Sequence, residues 1–316
     1  MSWQEEACGQ RYLCVALPKP APARRVFRPA RRVSWGTWIF VIVVLLIAIG
    51  ALGGFLEIVL PQRVAQLAQS EAGELALARK GTADVSTNVS QLWADLSAKG
   101  SMSLSSDQLT RELVVANSAQ KSADDAQGHV VLAQSYMAQA DGLPFQLHSP
   151  AFIATDRPAL DHLDKALQAS QKLTHAAILQ LTLAQQVTQD AGKISTTLDP
   201  ALNAHAWADA ARASSTLSDD LKPQQVSAAF ADALLDPLWA TWIDGLVAVV
   251  TDAQQYSLAA AANQTQASQQ AANQLAAARQ RVAASFAAAQ AGAPAWQLKT
   301  MQPLLDTVTR ETSAGS

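Results

Sequence analysis

The chain has 316 residues and a formal charge of −3. Residues 1–34 hold seven Lys or Arg against two Glu, a net of +5, so the rest of the chain carries −8. That acidic remainder argues against a nucleic-acid partner, because phosphate binding needs clustered basic residues. The chain has two cysteines, Cys8 and Cys14, so no disulfide framework can hold the residues beyond them.

Residues 1–34 are basic and rich in proline (Pro18, Pro20, Pro22, Pro29), the composition of a flexible tail without a core. Cys8 and Cys14 make at most half of a zinc site, since structural zinc takes four ligands. Free thiols in a reducing compartment are the expectation.

Trp35 to Leu56, WGTWIFVIVVLLIAIGALGGFL, contains no charged side chain. About 20 apolar residues at 1.5 Å rise each cross a bilayer core about 30 Å thick. The run exceeds the apolar stretch of a cleaved signal peptide, so a retained anchor over residues 35–60 is expected. Trp35 and Trp38 stand where indoles favour the headgroup region, and Arg28, Arg31 and Arg32 precede them. By the positive-inside rule the N-terminus is cytoplasmic and the long remainder is outside. Gly50 and Gly54 form a G-x-x-x-G pair, a candidate face for helix pairing.

Residues 61–312 show helical rather than strand periodicity. Val64, Leu67, Glu71, Leu75 and Ala78 open a stripe that Gly81 interrupts and that Lys99-Gly100 ends. Ser105-x-x-Gln108 reads as a capping box for a second helix to about Ala140. Asp141 to Pro150 is an irregular connection carrying Leu143, Phe145 and Leu147. Thr155-Asp-Arg-Pro158 opens a third helix, and Asp199-Pro200 and Asp236-Pro237 open two more. Asp219, Asp220 and Pro223 mark a further break. From Leu238 one long Ala/Gln-rich helix is expected to about Gln290, where Gly292 and Pro294 end it; Trp296 to Thr309 is a short closing helix. Residues 313–316 read as a frayed end. The expected fold is therefore all-α. A single N-terminal transmembrane helix precedes an elongated extracytoplasmic helical bundle or coiled-coil-like domain.

No catalytic, cofactor-binding or metal motif stands out: there is no P-loop, no G-x-G-x-x-G, no H-E-x-x-H and no G-x-S-x-G. The five histidines are scattered, and Asp161-His162-Leu163-Asp164 reads as a solvated turn. Phe145, Trp239 and Trp242 are the candidate interaction or pocket residues. For Trp239 and Trp242 a buried helix is preferred over docking on a membrane surface. The expected function is a membrane-tethered structural or interaction component of a prokaryotic cell envelope, without catalysis. Its partners would be the lipid bilayer and either a second copy or an envelope protein. The alternative is a ligand-binding sensory module that signals through a partner.

Overall fold

A computed structural model describes residues 35–144, 148–230 and 235–316. The tail with Arg28, Arg31 and Arg32, and Phe145 in the irregular connection, lie outside the described residues. No strand occurs among the described residues; the secondary structure is all-helical. The chain divides into two units, Met1–Phe55 and Leu56–Ser316.

In the first unit, α1 spans Trp35–Gly54 and has no buried residue. It is long and apolar enough to cross a membrane. A five-residue π-helical turn, Phe55–Val59, follows it in the chain.

The second unit contains α2 (Leu60–Lys99), α3 (Ser106–Asp141), α4 (Ala151–Lys193), the short α5 (Asp199–Asn203), α6 (Trp207–Phe230), α7 (Pro237–Ala261), α8 (Thr265–Thr300) and α9 (Gln302–Gly315). Helix α2 packs against α3, α4 and α9, and α4 packs against α3 and α9. Helix α7 packs against α6 and α8. Contacts of α4 with α6 and of α8 with α9 join the two groups. At 1.5 Å per residue the 43 residues of α4 extend about 65 Å. Leu160, Leu163, Leu167, Leu173 and Leu181 line its inner side and are buried. Burying each such side chain stabilises the fold by about 1.5–3 kcal/mol.

Several helix ends follow local chemistry. The Ser105 side chain accepts from the Gln108 backbone N–H at 3.3 Å, and Gln108 Oε1 accepts from the Ser105 N–H at 2.9 Å, so the capping box is complete. Asp236 caps α7 by accepting from the Leu238 N–H at 3.0 Å. Gly100, at φ 68°, ends α2, and its N–H reaches the Leu96 carbonyl at 2.8 Å.

Other expected breaks do not occur. Helix α2 runs through Gly81, where a Cβ would lie 2.8 Å from the Ala126 Cβ; this glycine lets α2 and α3 approach closely. Helix α4 starts at Ala151, after Pro150, and contains Pro158 in its interior. Pro223 lies inside α6 and Pro294 inside α8. An interior proline costs about 3 kcal/mol or more through its lost hydrogen bond and ring clash. Each of these prolines is exposed, while buried neighbours such as Leu160, Leu221 and Gln297 keep the flanking turns packed.

Conversely, the expected helix from Leu238 to Gln290 is two helices. It turns at Ala262–Gln264, where Asn263 adopts φ 57°. Asparagine tolerates the left-handed region better than most residues. The chain end is not frayed either. Helix α9 runs to Gly315, which is buried against Leu163, and Arg79 Nε donates to the Gly315 carbonyl at 2.9 Å.

Candidate functional site

A layer of titratable side chains crosses α2, α3, α4 and α9. Glu74 on α2 meets His129 on α3 with 2.6 Å between Oε2 and Nδ1. His162 on α4 meets Glu311 on α9 at the same distance. Gln127 Nε2 donates to Asp164 Oδ1 at 2.6 Å, tying α3 to α4. The His162 hydrogen bond, helped by that from Arg310, holds the Glu311 carboxyl below its ordinary value. The Asp161–Asp164 segment is therefore part of a packed helix and not a solvated turn.

Glu71 lies in this layer without a partner. Its side chain is fully buried, and neither carboxylate oxygen has a hydrogen bond among the described residues. Burial first, and the negative charge of Asp156 second, push its carboxyl up to about 7, with Arg79 acting in the opposite direction. The sequence places Glu71 within an apolar stripe, between Leu67 and Leu75. A carboxyl at the third position of that stripe was the legible signal for an unusual group.

A second polar cluster joins α4 to α6. Asp190 is buried; its Oδ1 accepts from Lys193 Nζ at 2.7 Å and its Oδ2 from Gln224 Nε2 at 2.5 Å. Lys193 also donates to Asp220 at 2.8 Å. The hydrogen bonds to Asp190 and Asp220 raise the Lys193 ammonium above its ordinary value. Asp219 and Asp220 thus pair with lysines along a continuous helix instead of marking a break.

A groove of about 420 Å³ opens between α2 and the α8–α9 corner. Trp93 and Met301, both buried, line its floor, and Pro294 and Leu305 its sides. Leu298 stands in it 70% exposed. The Trp93 indole N–H donates to the Leu173 carbonyl at 3.3 Å, which satisfies its polar edge and fixes the floor.

Trp239 and Trp242 are core residues. They are 3% and 6% exposed, stand edge to face with centroids 5.8 Å apart, and Trp242 meets Phe286 of α8 at 5.1 Å. Buried indoles cannot insert into a membrane surface; of the two alternatives the pair takes the buried one, packing α7 onto α8. Trp35 and Trp38 are exposed at the start of α1. Gly50 and Gly54 have open space where a Cβ would stand. The sequence did not single out the Trp93 groove or the Asp190 cluster, because both are assembled from helices distant in the chain.

Among the described residues no three His, Cys, Asp or Glu side chains gather as a metal site. No protein-family model, curated protein or solved structure matches the chain.

Proposed function

We propose that the chain is a single-pass membrane protein, anchored by α1. Its second unit is an elongated helical bundle on the extracytoplasmic side of a prokaryotic envelope. Its role is structural: it holds an envelope partner, or a second copy of itself, at the membrane and performs no chemistry. The observation that carries this reading is α1, with 20 residues, no charge and no buried side chain. An apolar helix with that composition is stable when lipid covers it, since lipid removes its surface from water and its backbone satisfies itself. Trp35, Trp38 and the preceding arginines Arg28, Arg31 and Arg32 have the composition of an interface on the cytoplasmic side.

Crosslinking in intact cells tests the interaction role. A homo-oligomer or one dominant protein partner is expected, trapped through the second unit. A monomer with no crosslinked species under conditions that trap a known envelope complex contradicts it.

The groove beside Trp93 supports a second reading, a module that binds a small apolar ligand and signals through a partner. Here a library of small apolar molecules should raise the melting temperature of the wild-type protein, and Met301→Trp, which fills the groove, should abolish that rise. No rise with any compound contradicts this reading.

A further inference from the structure

Glu71 occupies a place in the helix packing where a leucine would be expected. Leu67 precedes it by one turn, and Leu75 and Ala78 follow it; all three are buried. Its two oxygens are sealed from water and have no hydrogen-bond donor among the described residues. A buried polar group in that condition costs about 1–3 kcal/mol when neutral, and far more when charged.

No surrounding group pairs directly with an ionised Glu71. On its own helix, Glu74 is engaged by His129; Arg79, whose Nε donates to the Gly315 carbonyl, is the counter-charge that acts on Glu71, and burial together with Asp156 outweighs it. From α4 comes Asp156, a like charge, while His162 is engaged by Glu311. From α9, Arg310 is held at Glu311, 3.0 Å away. The register that sets Gly81 on Ala126 and Glu74 on His129 brings α3 past Glu71 near Ala133 to Met137, where the titratable residue is Tyr136.

We propose that Glu71 is a proton-operated latch: the layer joining α2 to α3, α4 and α9 is closed when Glu71 carries a proton and loosens when it loses that proton. Ionisation places an unpaired carboxylate inside the packed layer. The charge reaches water when α2 separates from its neighbours. Burial keeps the closed-state carboxyl at about 7, above its ordinary value of 4.5. Between those two values the closed state holds a proton that an open state has released. The closed state is therefore favoured at low pH, weakens as pH rises through this window, and is weakest above about 7. Glu311 has the opposite sign: its lowered carboxyl favours the closed state above 4.5 and withdraws that support as pH falls through its folded value.

Hydrogen exchange of the full chain in nanodiscs, corrected for intrinsic rates, tests the latch at about pH 5.5 and about pH 8. Protection of the amides in α9 and in the first half of α2 should fall at least about tenfold at the higher pH. Glu71→Gln should keep its protection at both values. An equal fall in Glu71→Gln and wild type overturns the proposal, as does no fall in wild type. An infrared measurement on the wild-type chain keeps the test independent of the variant's folding. A protonated carboxyl band should persist at about pH 6 and vanish by about pH 8.5. Complete ionisation by pH 6 overturns the proposal.

Discussion

The two helix groups of the second unit reach the same result, close packing of long helices, by different chemistry. Helices α2, α3, α4 and α9 combine rows of leucine with a crossing layer of acid–histidine pairs and one unpaired carboxyl. Helices α6, α7 and α8 use small residues and an aromatic cluster. Gly245 sits where a Cβ would lie 2.9 Å from Val282, and Trp239, Trp242 and Phe286 fill the space beside it. Among the described residues no ion pair joins α7 to α6 or α8. The difference shows where proton concentration can act. The first group carries buried titratable groups inside its interfaces, whereas in the second the carboxylate that bridges two helices, Asp244 accepting from Gln225, is exposed.

The largest effect expected is in the aromatic cluster. Trp242→Ala should cost about 3–5 kcal/mol and lower the melting temperature by a similar amount at low and neutral pH. A pH-dependent cost would break the contrast between the groups.

Next is Glu71→Gln, which removes the ionisation penalty of the first group. It should stabilise the protein by up to about 3 kcal/mol above pH 7, with the gain shrinking toward zero as pH falls to about 4.5. Denaturant titrations of both proteins across that range measure the gain directly. A gain of constant size would mean that the carboxyl is not the cause.

Two glycines on one helix sharpen the packing account. Gly81→Ala forces α2 from Ala126 and should cost about 1–2 kcal/mol, as overpacking outweighs the gain in helix propensity. Gly73→Ala, on the same helix with open space around it, should stabilise by up to about 1 kcal/mol. Thermal melts of the two variants should therefore move in opposite directions.

The smallest change is expected at Lys222→Ala. Its exposed pair with Asp219 lies three residues along the same helix and should contribute less than about 0.5 kcal/mol.

What the sequence revealed depends on the range of the interaction. The starts at Ser105 and Asp236 were legible because a cap is made by residues two or three positions apart. Gly100 was legible as a stop for the same reason. Pro158, Pro223 and Pro294 misled because their cost is local while the burial that offsets it is tertiary. Gly81 misled in the same way, being a contact between helices that looks like a weak point within one. The turn at Asn263 is almost silent, since the Ala/Gln composition is similar on both sides. For the sites, Glu71 could be seen as a carboxyl in an apolar stripe. The partners that its neighbours take, His129 from α3 and Glu311 from α9, come from 55 and 149 residues away and have no signature along the chain.

The central claim is the topology: α1 crosses the membrane and the second unit lies outside. Labelling of intact cells with a membrane-impermeant maleimide tests it most directly. The native Cys8 and Cys14 are compared with a single cysteine introduced in place of Ser313, near the end of α9, in a chain lacking the other two. The account predicts that position 313 is labelled before lysis and that Cys8 and Cys14 are labelled only after it. Labelling of Cys8 and Cys14 in intact cells with position 313 protected, or recovery of the wild-type chain in the soluble fraction, would contradict it.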